Sequence, residues 1–196
     1  MKEVDLIVIG SGPAGQRAAI QGAKCGASVV VIERRQWVGG VCTHTGTIPS
    51  KTLREAILYL TGFRFRSVYG RGNVLKRRLT FDDLMHRVNH VVKHETEVAR
   101  DRMVRNGIEI VSGLASFDGP HEVTVTAEDD VRKFRGEKFV IATGSTPYRA
   151  DRVPFNDTTV IDSDQLWSPG YRIENMPRSM LFIGAGVIGT EYACMF

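Results

Sequence analysis

Residues 4–10 of the chain, VDLIVIG, form a short apolar run closed by a glycine. Such a run, with little polar alternation, predicts a strand buried on both faces, as in a parallel sheet. Residues 13–26 are rich in alanine, begin at Pro13 and stop at Gly26. Proline suits the first turn of a helix and glycine its end, so this stretch predicts a helix. Residues 28–33, SVVVIE, are β-branched and end on an acid, which predicts a second strand. Strand, glycine turn, helix and strand within about thirty residues make a βαβ unit.

Further on, the period first lengthens and then halves. From Pro49, PSKTLREAILYL is helical in pattern, with proline at a tolerated first-turn position. Residues 62–79 are rich in Arg and Gly and predict a loop. Residues 80–107 predict a long amphipathic helix, capped by Thr80 and ended by Gly107. After Gly107 the alternation is that of strands: IEIVSGLASF, EVTVTA and KFVIATG, separated by turn residues, predict a β-meander over 108–142. Residues 146–178 hold prolines and little periodicity, so they predict a connection. Residues 179–196, SMLFIGAGVIGTEYACMF, begin a second strand–glycine–helix unit. A lone strand and half a helix cannot bury their apolar faces, so the chain is expected to be the N-terminal part of a longer protein.

Composition narrows the function classes. The 42% hydrophobic and 24% charged fractions are those of an ordinary globular protein. No apolar run is long enough to span a bilayer, and residues 1–10 lack the pattern of a signal peptide. Three cysteines, Cys25, Cys42 and Cys194, are too scattered for a disulfide framework or a zinc site, so a reducing, cytoplasmic compartment is expected. The net charge of +4 is modest. Basic clusters at 64–66, 76–78 and 100–105 form neither a basic stripe with stacking aromatics nor a recognisable nucleic-acid module, so they read as solvated faces and no nucleic acid is expected. His86, His90 and His94 stand four apart on the long helix, opposite Leu84, Val88, Val91 and Val98. They read as a solvent face, and no metal is expected.

The chemistry lies in the glycines. GSGPAG, residues 10–15, is G-x-G-x-x-G between a predicted strand and a predicted helix. Gly10 permits the tight turn, Gly12 the approach of backbone to a pyrophosphate, and Gly15 close packing of helix on strand. Pro13 and Ala14 open the helix, whose free N–H groups face the phosphates. Glu33, twenty-one residues after Gly12, is placed to accept hydrogen bonds from an adenosine ribose. GAGVIG, residues 184–189, repeats the pattern with Gly184, Gly186, Val187, Ile188 and Gly189. Ala142, Thr143 and Gly144 end a strand in a small-residue turn that can run beside a ligand. Two dinucleotide folds predict two dinucleotides, one a bound flavin and the other a nicotinamide.

In combination these motifs resemble the two-dinucleotide-binding flavoproteins, the family of lipoamide dehydrogenase, glutathione reductase and mercuric reductase. The resemblance implies an α/β fold, a doubly wound parallel sheet of Rossmann type with a β-meander insertion. It assigns 1–150 to the FAD domain, 151–178 to a connection and 179–196 to the start of an NAD(P) domain. By resemblance FAD is held by Gly10, Gly12, Pro13, Ala14, Gly15, Glu33, Arg34, Ala115, Ala142, Thr143 and Gly144. The segment with Gly39, Gly40, Val41, Cys42 and Thr43 runs along the cofactor, and His44 lies near it. Gly184, Gly186, Val187, Ile188 and Gly189 are assigned to NAD(P)H. Lys51 is expected beside the flavin N5, paired with Glu191.

One departure changes the expected reaction. The family's redox motif is C-x-x-x-x-C followed by P-[S/T]-K, and here Cys42 is followed by Thr47 and by Pro49-Ser50-Lys51. A threonine hydroxyl cannot form the disulfide that the exchange reaction needs. CTHTGTIPSK and GAGVIGTEYA together are similar to one branch, the soluble pyridine nucleotide transhydrogenases. That resemblance implies hydride transfer between NADPH and NAD⁺ through FAD, and a homo-oligomer formed through a C-terminal domain. Cys42 reads as a spectator thiol packed beside the flavin, with a redox-active thiol awaiting an external partner as the alternative. Two alternatives stay open: an FAD-dependent NAD(P)H oxidase or reductase with another acceptor, and an inactive FAD-binding fragment.

Overall fold

The computed structural model describes residues 1–63, 80–128, 130–174 and 176–196. Most of the Arg- and Gly-rich stretch, with its basic clusters at 64–66 and 76–78, lies outside the described residues. In chain order the elements are β1 (Lys2–Ile9), α1 (Pro13–Lys24), β2 (Val29–Glu33), α2 (Gly40–His44), α3 (Thr47–Leu60) and α4 (Phe81–Arg105). Then follow β3 (Glu109–Ser112), β4 (Leu114–Phe117), β5 (Glu122–Thr126), β6 (Val131–Ile141), a 3₁₀ turn at Gln165–Trp167, and α5 (Val187–Met195). The chain divides into two units, Met1–His44 with Lys93–Thr146, and Thr45–Val92 with Pro147–Phe196.

The first unit is a mixed α/β layer built on one six-stranded sheet of order β3-β2-β1-β6-β5-β4. β1 pairs in parallel with β2 and with β6, and β2 pairs in parallel with β3. All five residues of β2 are buried, the apolar Val29 to Ile32 and the Glu33 that ends it. The side chains of β2 alternate between two clusters, since neighbours on a strand point to opposite faces. Val30 and Ile32 pack with Ile7, Val111, Val123, Val125 and Phe134. Val29 and Val31 pack with Val8, with Ala19 of α1, and with Ala99 and Met103 of α4. Each fully buried Val or Ile here contributes about 1.5–3 kcal/mol.

The expected meander over 108–142 needs correction. Residues 108–117 form two strands, which break at Gly113, a residue with φ +148. β3 closes the parallel edge, while β4 starts the antiparallel ribbon with β5 and β6. The break is set by close packing. A Cβ at Gly113 would stand 2.6 Å from the Val125 side chain, and the Gly113 N–H donates to the Glu33 carbonyl at 2.9 Å. β6 starts earlier than the apolar run KFVIATG because it serves two partners, antiparallel with β5 from Val131 and parallel with β1 up to Ile141.

In the second unit, Leu53 and Ala56 of α3 pack with Phe81, Leu84 and Val88 of α4, with Leu166, and with Tyr192 and Met195 of α5. The start of α4 is capped reciprocally. The Asp83 N–H donates to Thr80 Oγ at 3.2 Å, while the Thr80 N–H and hydroxyl donate to the Asp83 carboxylate at 3.0 and 2.8 Å. α3 starts at Thr47, so Pro49 sits at its third position. The predicted strand SMLFI does not form: residues 180–184 join no ladder, and Leu181 and Ile183 are exposed. A strand needs a neighbour to satisfy its backbone, and no described segment supplies one.

Among the described residues no helix is long and apolar enough to cross a membrane, and no cluster of three His, Cys, Asp or Glu could hold a metal. His86, His90 and His94 are exposed, opposite the buried Leu84 and Val88.

Candidate functional site

The first glycine turn connects β1 to α1. Gly10 has φ +104, a conformation that glycine adopts without strain. A Cβ at Gly10 would also overlap the Ala142 carbonyl, so the turn lies directly against the end of β6. The Ala142 N–H donates to the Ile9 carbonyl at 2.8 Å, and Gly144 turns the chain with φ +75. A Cβ at Gly15 would overlap the Gly10 carbonyl oxygen, so the first turn of α1 presses on the loop it leaves.

Gly12 differs from these two. It is the N-cap of α1 with φ −67 and ψ −179, backbone values open to any residue. A Cβ there would meet only the Gly40 Cα, at 3.9 Å, an ordinary contact. Neither conformation nor internal packing requires glycine at this position. The bare backbone leaves room for a group to approach the helix N-terminus more closely than a methyl would allow. That is the fit expected of a dinucleotide pyrophosphate, with free N–H groups and the positive end of the helix dipole facing it.

The second turn repeats this geometry in the second unit. Gly184 has φ +121. Gly186 caps α5 with φ −73 and ψ 178, and a Cβ there would meet nothing within 4 Å. A Cβ at Gly189 would overlap the Gly184 carbonyl oxygen. Both helices continue from the cap by the same bond, Gln16 N–H to Gly12 O at 2.9 Å and Thr190 N–H to Gly186 O at 3.0 Å. Val187 and Ile188, next to that cap, are exposed.

Glu33 lies at the end of β2, 7% exposed. Its carboxylate accepts from the Ser11 N–H at 2.9 Å and the Ser11 hydroxyl at 2.5 Å on Oε2, and from the Arg35 N–H at 3.0 Å on Oε1. Ser11 is fully buried, and its carbonyl accepts from the Gln16 side-chain amide at 2.8 Å. Ser11 and Gln16 were missed in the sequence because they occupy the variable positions around the glycines. Their polar character beside a β2 acid is the signal that could have found them. Arg34 is exposed, and Ala115, half-buried on β4, stands opposite Val125.

Residues 39–44 lie across the first turn. Gly39 and Gly40 have φ +123 and +64, and a Cβ at Gly40 would approach the Gly12 Cα to 2.7 Å. The short helix α2, absent from the sequence expectation, carries Val41 and Cys42 half-buried and Thr43 buried. His44 donates from Nε2 to the Val38 carbonyl at 2.8 Å and packs against the Trp37 ring at 5.7 Å. Burial pushes the His44 pKa below its ordinary value, and Arg35 pushes the same way, against the Val38 bond and Glu33. Cys25, Cys42 and Cys194 are all free thiols.

In the second unit, Lys51 of α3 and Glu191 of α5, 140 residues apart in the chain, form an ion pair. Next to it, the Trp167 indole donates to the Tyr192 hydroxyl at 2.9 Å, and burial pushes the Tyr192 pKa up to about 12. Thr47 is exposed at the start of α3.

Residues 4–196 match the family model described as "Pyridine nucleotide-disulphide oxidoreductase". A Mycobacterium tuberculosis protein named "Soluble pyridine nucleotide transhydrogenase" is 46% identical over 200 aligned positions, covering 100% of this chain and 42% of that protein. Its namesake in Aliivibrio fischeri is 41% identical, covering 98% of this chain and 40% of that protein. This chain therefore spans about two fifths of the length of these relatives. Among solved structures, the Cu(II) complex of the HOCl-induced flavoprotein disulfide reductase RclA from Escherichia coli is similar with a TM-score of 0.78 and 26% identity. That match covers 100% of this chain and 40% of RclA.

Proposed function

The chain belongs to the pyridine nucleotide-disulphide oxidoreductase family, and from that premise we propose that the full-length protein is a transhydrogenase, passing hydride between NADPH and NAD⁺ without a redox disulfide. Membership implies FAD and NAD(P)H as the cofactors. Bound FAD supplies a two-electron carrier between the two nicotinamides.

The residues present fit that cofactor. Gly12 and the N-terminus of α1 take the pyrophosphate, and Glu33 accepts from the adenosine ribose. Ala142, Thr143 and Gly144 line the bound molecule, as do Gly39 to Thr43. Gly184, Gly186 and Gly189 give α5 the same phosphate-binding cap for the nicotinamide dinucleotide. By resemblance the Lys51 ammonium, paired with Glu191, would stabilise negative charge on the reduced cofactor. The two nicotinamides use one site in turn, so the kinetics are ping-pong.

The observation that carries the reading is Thr47. It stands five residues after Cys42, where disulfide exchange would need a second thiol, while Pro49, Ser50 and Lys51 are kept. The relatives named as transhydrogenases support the same reading.

The test is NADPH-driven reduction of a thio-NAD⁺ analogue by the full-length protein under anaerobic conditions. Transfer with parallel-line kinetics is expected. No transfer, with rapid oxygen consumption in air, would overturn the reading in favour of an NAD(P)H oxidase.

A further inference from the structure

The contacts of Ser11 go beyond the fingerprint. A carboxylate offers about four acceptor positions, two on each oxygen. On Glu33, both positions of Oε2 are taken by Ser11, through its N–H at 2.9 Å and its hydroxyl at 2.5 Å. One position of Oε1 is taken by the Arg35 N–H at 3.0 Å. One acceptor position remains.

Ser11 is itself fixed from several sides. It is fully buried, and its carbonyl accepts from the Gln16 side chain at 2.8 Å. The Gly39 N–H is shared between the Ser11 carbonyl at 3.2 Å and the Ser11 hydroxyl at 3.3 Å. The hydroxyl therefore donates to Glu33 and accepts from Gly39, so its proton has one direction. It joins the end of β2 to the Gly39–Gly40 backbone, the same backbone that packs on Gly12.

We propose that Ser11 is the positioning residue for dinucleotide recognition: it locks the Glu33 carboxylate with Oε2 saturated by protein and Oε1 open to a single ribose hydroxyl of the adenosine half. The inference rests on the flavin reading above and adds a specificity to it. Without the Ser11 hydroxyl, Oε2 regains an acceptor position, the carboxylate keeps only the Ser11 and Arg35 N–H bonds to fix its plane, and Gly39 loses one of its two acceptors. A hydrogen bond to a charged group is worth about tenfold or more in affinity. The protein should therefore distinguish ribose hydroxyls sharply, and the Ser11→Ala variant should not.

The experiment uses the full-length protein, reversibly stripped of flavin and titrated by quenching of flavin fluorescence. The probes are FAD and three analogues carrying 2′-deoxy, 3′-deoxy or 2′,3′-dideoxy adenosine. For the wild type, one single-deoxy analogue should bind about tenfold or more weaker than FAD, and the other about as well as FAD. In Ser11→Ala, FAD affinity should fall about tenfold, to the level of the dideoxy analogue, whose own affinity should not change. A merely structural loss would lower FAD and dideoxy affinity together, and that outcome overturns the positioning role. Equal losses for the two single-deoxy analogues in the wild type overturn the single-hydroxyl claim even if Ser11→Ala does not fold. A wild type that binds all four probes alike overturns the role of Glu33, and one that binds none overturns the flavin reading itself.

Discussion

Replacing Gly12 with alanine should separate ligand binding from folding. A Cβ at this position meets only the Gly40 Cα at 3.9 Å, and its φ of −67 suits any residue. Replacing glycine by alanine at a compatible position stabilises by about 0.4–1 kcal/mol through the unfolded chain. Alanine is also a poorer N-cap than glycine, by a comparable amount. The two effects offset, so flavin-stripped Gly12→Ala should unfold within about 1 kcal/mol of wild type. Its methyl would stand where the pyrophosphate must approach, an overpacking of about 1–3 kcal/mol and so about 5- to 150-fold in FAD affinity. Gly15→Ala should behave in the opposite way. There the Cβ overlaps the Gly10 carbonyl oxygen and lies 3.0 Å from its carbon, so backbone must move at a cost of about 1–3 kcal/mol or more in stability. Urea unfolding of the stripped proteins and flavin titration measure the two quantities independently. A Gly12→Ala variant that binds FAD as tightly as wild type would refute the reasoning, and so would one destabilised as much as Gly15→Ala.

Four other outcomes test other parts of the site. Lys51→Met and Glu191→Gln should change stability little, about 0–1 kcal/mol, since Lys51 is 54% exposed. Each should slow nicotinamide-dependent flavin reduction about tenfold or more in stopped flow; unchanged rates would remove the pair from the chemistry. Cys42→Ser should keep transhydrogenation within about threefold, as a spectator requires, and a collapse in rate with FAD still bound would give the thiol a role. His44 has a folded pKa below its unfolded value, so the unfolded chain binds the proton more readily. The stability it contributes is complete above about pH 6.5 and is lost as pH falls through the folded pKa. Chemical denaturation between pH 7.5 and about 5 should therefore show a steeper loss for wild type than for His44→Gln, and equal slopes would refute the assignment. Gly186→Ala should leave FAD affinity and stability unchanged while weakening NADPH binding about tenfold, measured by the charge-transfer band of the nucleotide complex.

What the sequence revealed and what it did not follow the range of the interactions involved. Val29–Glu33 was legible as a strand because four β-branched residues in a row, closed by an acid, suit a strand, and the structure covers it on both faces. The ends of α4 were legible because Thr80 and Gly107 act through bonds to residues a few positions away. Pairing partners were not legible. Residues 108–117 carry one alternating pattern, and only the packing of Gly113 against Val125 and Glu33 shows that they belong to opposite edges of the sheet. The Ser11 hydroxyl was invisible for a related reason. Its role depends on Glu33 and Gly39, residues 22 and 28 positions away, and a serine between two glycines has many ordinary uses. The ion pair of Lys51 with Glu191 is more distant still, and only resemblance to a family proposed it.

The two glycine turns show where local encoding ends. The first has a paired strand before it: Ile9 opposes Ile32 and Ile141 in the sheet. Among the described residues the second has none, since residues 180–184 join no ladder. Yet Gly184 and Gly186 adopt nearly the backbone angles of Gly10 and Gly12, and Gly189 presses on Gly184 as Gly15 presses on Gly10. The geometry of the cap is thus reproduced where the described residues pair no strand before it. It follows from a left-handed glycine, an extended cap residue and a helix whose first turn has no side chain in the way. Around the first cap the sheet places the Glu33 carboxylate, at the end of the neighbouring strand, and the Ala142–Gly144 turn. The proposed sites then predict that affinity for phosphate resides in six consecutive residues and specificity among dinucleotides in the strands. Transplanting GAGVIG into positions 10–15 should then preserve pyrophosphate binding but remove Ser11, and with it the discrimination among ribose hydroxyls. A chimaera that binds no FAD would show that the cap is not locally encoded, and one that discriminates as wild type does would show that Ser11 is not what sets it.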